Sequence, residues 1–245
     1  SIGFVTRILP DGWIDPVFGI NGFYLEFGLE TGVTAVGVDP SGRIWLLGRL
    51  LADGTGWWIF QLLDTGGNPT DNRALTFPGY GFETTIPTAM AFQPDGNVLL
   101  GGWGKTGSPD FFASMAVARI LGSTLNLDPT FGGSGTGELV ITDFAPAYLR
   151  SIALQPDRSI VVAGEYGLLN EENIVVTRLS PDGTLAGAFT EYVAFDIGGS
   201  GGDGGGGMNR MVVQSDGKIV VAAAAITGDT GNVIDVGVAR VLAES

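Results

Sequence analysis

AMAFQPDGNVLLGG (residues 89–102) reads as two short strands joined by a tight turn, and the same line occurs four times in the chain. The other copies are SIALQPDRSIVVAG (151–164), MVVQSDGKIVVAAA (211–224) and, more distantly, AVGVDPSGRIWLLG (35–48). Their turn positions Gly42, Gly96, Arg158 and Gly217 lie about 60 residues apart, a spacing that belongs to a repeat architecture. Pro94-Asp95-Gly96 and Ser215-Asp216-Gly217 supply what a hairpin needs: a preset φ, a local side-chain acceptor and a residue free to take positive φ. Arg158 departs from this pattern, and a residue with a Cβ at that position is expected to be strained.

Extending outward from the third copy gives four strands: GELVITDF (137–144), SIALQ (151–155), SIVVAG (159–164) and NIVVTRL (173–179). The second strands alternate large and small residues, as in Met90-Ala91-Phe92 and Ile152-Ala153-Leu154, so their two faces meet different neighbours. The third strands, such as Val98 to Leu100 and Ile160 to Val162, have no polar face, which implies burial on both sides. Such strands belong inside small sheets stacked face to face. A β-solenoid has shorter repeats, and a β-sandwich does not need one hairpin four times. The expected fold is therefore all-β and nearly free of helix: a β-propeller built from four repeats of about 60 residues with four antiparallel strands each. The repeats fall at approximately 20–71, 72–132, 133–190 and 191–245 of a single repeat domain, and residues 1–19 hold an extra N-terminal strand with its linker.

That extra strand is visible because FVTRILPDG (4–12) aligns with VVTRLSPDG (175–183). Fourth-strand copies fall at Arg7, at Gln61, and at Arg119, Arg178 and Arg240, against four copies of the hairpin. One strand is left over. It marks a piece of a longer array, a pairing with a second chain, or a cover for an edge of the same chain. Because unpaired strand edges recruit other strands, self-association or membership of a larger assembly is expected.

Composition narrows the chemistry. The chain has 12 Lys plus Arg against 26 Asp plus Glu, a net charge of −14 that repels phosphates, so nucleic acid is not an expected partner. Its apolar runs fall far short of the roughly 20 residues of a spanning helix, so no membrane insertion is expected. A chain beginning at Ser1 is expected to have lost a leader or a tag. Histidine and cysteine are both absent, which removes imidazole bases, thiolate nucleophiles and zinc sites with nitrogen or sulfur ligands. Any acid–base chemistry would rest on carboxylates, but Asp11, Asp95, Asp157, Asp182 and Asp216 all sit in repeat turns, where Asp is selected for its own backbone bonds.

Two further residue sets are candidates. Glu26, Asp143 and Asp196 fall at equivalent places near the end of the first strand, where the second copy has Thr76. A ring of carboxylates about a propeller axis would hold a hard cation, so calcium is the possible ligand, with a solvated rim as the alternative. Trp57, Trp58, Trp103, Phe111, Phe112 and Tyr166 stand in or beside the variable loops between third and fourth strands. Aromatic faces beside polar groups suit sugar rings; the alternative is that these rings shield blade edges, as aromatics in β proteins usually pack. The glycine tract 198–204 fits GGxGxD only once and is read as a loop; Gly101-Gly102-Trp103-Gly104 lacks the helix a phosphate loop needs.

The line LQPDxxIVVAG, the following Val176-Thr177-Arg178-Leu179 and the linker LDPTFGG (127–133) together resemble the delta-60 repeat. Asp15-Pro16-Val17-Phe18-Gly19 matches the same linker, while Gln61 departs from the arginine of the pattern. The resemblance implies a propeller-like domain of a bacterial surface, secreted or periplasmic protein, and it carries no activity to particular residues. The expected function is a non-catalytic binding or assembly module engaging protein partners or its own copies. The alternative is a lectin-like carbohydrate-binding propeller or a carboxylate-based carbohydrate-active enzyme, which needs two carboxyl groups about 5–10 Å apart in one pocket.

Overall fold

The computed structural model describes residues 3–26, 32–52, 55–77, 80–106, 113–167, 173–193, 208–227 and 233–242. Among them every regular element is a strand, and all pairings are antiparallel. Sheet I holds β1 (Gly3–Thr6) and β2 (Phe23–Glu26). Sheet II holds β3 (Val33–Val38), β4 (Ile44–Ala52), β5 (Thr55–Leu63) and β6 (Pro69–Leu75). Sheet III holds β7 (Phe82–Phe92), β8 (Val98–Thr106), β9 (Ala113–Ile120) and β10 (Glu138–Ile141). Sheet IV holds β11 (Ala147–Leu154), β12 (Ile160–Tyr166), β13 (Asn173–Leu179) and β14 (Leu185–Val193), and sheet V holds β15 (Met208–Val213), β16 (Ile219–Thr227) and β17 (Val233–Val241). No sheet closes on itself.

The sheets run one strand out of step with the sequence copies. GELVITDF opens the third copy, yet its strand β10 pairs with β9 of the preceding sheet, and β2 pairs with β1. Each complete sheet therefore begins with the hairpin and ends with the strand that opens the next copy. The leftover strand β1 has its own partner inside the chain, so the two incomplete sheets are I, with two strands, and V, with three.

The hairpins take the expected form. The N–H of Gln93 donates to the Asn97 carbonyl at 2.8 Å, and Asp39, Gln155 and Gln214 donate in the same way to Arg43, Ser159 and Lys218 at 2.8–3.0 Å. The turn residues Gly42, Gly96, Arg158 and Gly217 have φ of 85°, 86°, 72° and 81°. Arg158 thus holds a left-handed backbone that costs a residue with a Cβ about 1–2 kcal/mol. Arg158→Gly is expected to stabilise the fold by about 0.5 kcal/mol net, once the greater unfolded-state freedom of glycine is subtracted. A urea midpoint that stays put or falls would contradict this.

Middle strands are buried on both faces: Trp45, Leu46 and Leu47 in β4, Val98 to Leu100 in β8 and Ile160 to Val162 in β12 are inaccessible to solvent. Between sheets II and III, Trp45 stacks on Phe60 at 5.0 Å and Trp58 meets Phe77 edge-on at 4.6 Å. Phe131, Leu149 and Val175 lie in the core between III and IV, and Val161, Val176, Ile219 and Val221 in that between IV and V. The smallest cluster, built on Phe18, Leu46 and Leu63, joins sheet I to II.

The Asp-Pro-x-Phe-Gly linkers fasten neighbouring sheets. Arg119 at the end of β9 donates through Nε to Asp128 at 2.8 Å and through a terminal nitrogen to the Pro181 carbonyl of sheet IV at 2.6 Å, with its guanidinium 4.9 Å from the Phe131 ring centre. Gly132 N–H donates to the Asp182 carbonyl at 2.9 Å. The second linker repeats the device. Arg7 binds Asp15 at 2.8 Å and the Thr65 carbonyl, lies 5.3 Å from the Phe18 ring, and Gly19 donates to Gly66 at 2.7 Å. In each case the Phe ring fills the space where a Cβ on the facing turn glycine, Gly67 or Gly183, would stand.

The ladder corrects one alignment. Leu62 faces Trp45 as Arg119 faces Leu99 and Arg178 faces Val161, so Leu62 rather than Gln61 occupies the arginine position in sheet II. Gln61 lies on the opposite face and accepts the Tyr24 hydroxyl at 2.7 Å, which ties sheet I to sheet II.

Candidate functional site

In every first strand of sheets II to V the register slips by one residue, skipping Thr34, Thr88, Arg150 and Asn209. These are β-bulges, and bulges re-aim a strand and its side chains. The middle-strand residue facing each slip is Gly48, Gly102, Gly164 or Ala223. At Gly102 and Gly164 a Cβ would run into the bulged strand's own carbonyl, that of Ile86 or Tyr148. At these two bulges glycine leaves the room that the carbonyl takes. The Thr88 hydroxyl then bridges to the next sheet, donating to the Leu149 carbonyl at 2.7 Å.

After each bulge the strands converge on one cavity of about 640 Å³, lined from β1, β3, β7, β11 and β15. The residues directly after the slips are Ala35, Ala89, Ser151 and Arg210, and all four line it. Three of them are small; the fourth is an arginine on a cavity that Phe4 to Thr6 also line. Among the described residues the lining contains hydroxyls, apolar groups and this one charge, and no carboxylate.

The open side of sheet V is the second notable surface. One face, with Met211, Ile219, Val221 and Val241, is buried on sheet IV. The other presents Arg210, Val212, Val236, Val238 and Arg240, with Val236 79% and Val238 62% exposed. Their counterparts Met115 and Val117 in β9, and Ile174 and Val176 in β13, are fully buried. On sheet I, Phe4 is 63% and Leu25 48% exposed, and on β3 Val36 and Val38 are similarly uncovered. The two incomplete sheets therefore leave apolar surface in solvent, which marks interaction sites.

The carboxylates do structural work. Asp11, Asp95, Asp157, Asp182 and Asp216 each accept the backbone N–H two residues on, at 2.9–3.2 Å. Burial pushes Asp39 up, but hydrogen bonds from Ser41, Trp45 and Arg43 outweigh it and hold the carboxyl at about 2. Glu138 at the start of β10 differs: it is 2% exposed, Oε1 has no hydrogen-bond partner among the described residues, and burial pushes its carboxyl up to about 7. The fold favours its neutral form. The stability this gives is complete below 4.5 and is lost as pH rises through about 7. Glu138→Gln is expected to match the parent at pH 4 and to exceed it by about 2–3 kcal/mol at pH 8. Equal pH profiles for the two chains would contradict that.

The candidate ligand residues are dispersed. Trp58 is fully buried and Trp103 nearly so, the latter edge-on to Tyr148 at 5.0 Å, so these rings are sheet-interface core and not a displayed platform. Trp57 and Tyr166 are partly exposed, on sheets II and IV; Phe111 and Phe112 lie outside the described residues. Glu26 ends β2 and the exposed Asp143 follows β10, the outer strands of their sheets, whereas the cavity is lined by the opposite edges. No group of three or more metal-ligating side chains occurs among the described residues. Asp196 and the glycine tract 198–204 lie outside them. The cavity and Arg210 escaped sequence reasoning; the signal was an arginine where the aligned copies have Ala, Ala and Ser.

Antiparallel sheets in series, with first strands lining one cavity, define a repeat protein of the β-propeller type. A family model described as a domain of unknown function (DUF5122) beta-propeller matches residues 155–185 and 214–244. No curated protein matches the sequence significantly. Among solved structures, a xylan beta-1,4-xylosidase from Bacillus halodurans is similar over 90% of this chain and 46% of its own, with 12% identity and a TM-score of 0.46. A protein of unknown function from Dyadobacter fermentans covers 78% and 56%, with 11% identity and a TM-score of 0.47. An endo-arabinanase from Bacillus licheniformis covers 86% and 73%, with 15% identity and a TM-score of 0.44. The chain spans about half the length of the first two. The activities in these names belong to those proteins. No helix among the described residues is long and apolar enough to cross a membrane.

Proposed function

We propose that this chain is a non-catalytic association module, a propeller of four repeats with an extra N-terminal strand that joins copies of itself or another protein through its incomplete sheets. The observation that carries the reading is the apolar face of sheet V, where Val236 and Val238 stand in solvent at positions that are buried in sheets III and IV. Burying such a face stabilises by about 25 cal/mol per Å². Against an enzyme stand the turn aspartates, each held by backbone N–H groups, and a cavity whose described lining offers no acid or base pair. The resemblance to the delta-60 repeat supports a place at the surface, in the periplasm or outside a bacterial cell. Incubation with xylan, arabinan and uronic-acid polysaccharides is expected to release no product above a buffer control. Turnover of any of them would overturn the non-catalytic half of the reading.

A further inference from the structure

A second cavity, of about 420 Å³, lies between the turns of sheets III and IV. The β7–β8 turn brings Gln93, Pro94 and Asp95 to it, the β11–β12 turn Arg158, and the β13–β14 turn Pro181 and Asp182. Gln93 is 6% exposed, and its Oε1 has no hydrogen-bond partner. Its counterpart Gln155 also has an unpaired Oε1, but the Gln155 Nε2 is anchored on the Gly217 carbonyl of the next sheet at 2.7 Å. The matching bond from Gln93 to Arg158 is absent among the described residues. Arg158 keeps a left-handed backbone, φ 72°, where the other three hairpins have glycine, and no ion pair engages its exposed guanidinium among the described residues. Strain kept at the wall of a cavity points to a site. Asp95 and Asp182 accept hydrogen bonds within their own turns at 3.0–3.2 Å, and neither meets a cation among the described residues. Ser180 and Thr184 donate to Asp182 and hold its carboxyl below the usual carboxylate range. Arg119, which also lines the cavity, is already answered by Asp128. The neighbouring cavity between sheets II and III, of about 440 Å³, is the internal comparison. There Arg43 donates to Asp39 at 2.7 Å and to the Gly122 carbonyl at 2.9 Å, so the arginine is satisfied inside the chain as Arg158 is not.

We propose that the cavity between sheets III and IV binds a free aliphatic α-amino acid. A lone anion would meet Asp95 and Asp182, a lone cation would meet Arg158 and Arg119, and an uncharged sugar would leave Arg158 unanswered. A zwitterion answers both signs. Its carboxylate pairs with Arg158, its ammonium donates to Gln93 Oε1 and to a turn carboxylate, and its side chain lies against the Pro94 and Pro181 rings. Binding then explains why the third hairpin carries an arginine at positive φ: glycine would relieve the strain and remove the cation. The site is built from sheets III and IV alone, so it goes beyond the association reading and does not depend on the incomplete sheets.

The probe is L-leucine, titrated into the intact chain by isothermal calorimetry. Isocaproate, which lacks the ammonium, and isoamylamine, which lacks the carboxylate, are the two half-ligands. Saturable one-to-one binding of leucine is expected, with each half-ligand weaker by about ten-fold or more. Arg158→Gly restores the glycine of the other turns, and Gln93→Leu removes an unpaired buried polar group, so both should keep or raise the urea midpoint. Leucine binding should nonetheless weaken about ten-fold or more in Arg158→Gly and about five-fold in Gln93→Leu. No saturable heat with leucine, a half-ligand that binds as tightly, or leucine binding that Arg158→Gly leaves unchanged would overturn the site. None of these results bears on the solution mass that measures association, so failure here is distinguishable from failure of the module reading.

Discussion

Gly164→Ala is expected to cost the fold about 3 kcal/mol, near the top of the range for overpacking a close-packed interior. The methyl group would be driven into the Tyr148 carbonyl and against the Met115 side chain of the neighbouring sheet. A carbonyl held in a sheet ladder cannot swing aside as a side-chain tip does. The strand must surrender the bulge at Arg150, and with it the ion pair of that arginine to Glu165 at 2.7 Å. At about 2–4 °C per kcal/mol for a chain of this size, the melting temperature should fall by about 6–12 °C. Ala223→Gly at the equivalent place of sheet V should cost only about 1 kcal/mol, from backbone entropy and one lost methyl. Equal effects at the two positions would mean that the bulge does not impose the glycine.

The second large effect is at the linker. Asp128→Ala removes the carboxylate from Arg119, whose side chain is 10% exposed, and leaves a buried cation without its counter-charge. The expected loss is about 3–5 kcal/mol. Asp15→Ala breaks the same arrangement in sheet I, but the Arg7 side chain is 40% exposed, so solvent takes over and the loss should be several-fold smaller. Urea midpoints with an unchanged slope would measure both. Losses of similar size at the two sites would refute the assignment of the difference to burial.

The hairpins were legible in the sequence because Asp and Gly have local reasons to occupy a turn, and even the odd residue Arg158 could be placed at positive φ. Middle strands were legible as runs without a polar face. Sheet membership was not. A periodic sequence can be cut at any point of its period, and only the hydrogen bonds of β10 to β9 assign that strand to the preceding sheet. The Gln61 alignment slipped for a related reason: the Asp64 turn bonds to Asn68 as Ser180 bonds to Thr184, which shifts the strand before it by one residue. Among the site residues, Trp58 and Trp103 seemed to belong to variable loops, but the strands extend through them into the core. Gly102 and Gly164 recorded the bulges all along; their meaning required the carbonyl on the facing strand.

The account turns on whether sheet V meets another chain. Sedimentation velocity across micromolar concentrations measures this directly, and the prediction is a mass above the 25.4 kDa of one chain that grows with concentration. The double substitution Val236→Asp with Val238→Asp should return it to a single chain without unfolding, because both residues lie in solvent. A mass of one chain at every concentration, or association that the double substitution leaves intact, would contradict the account.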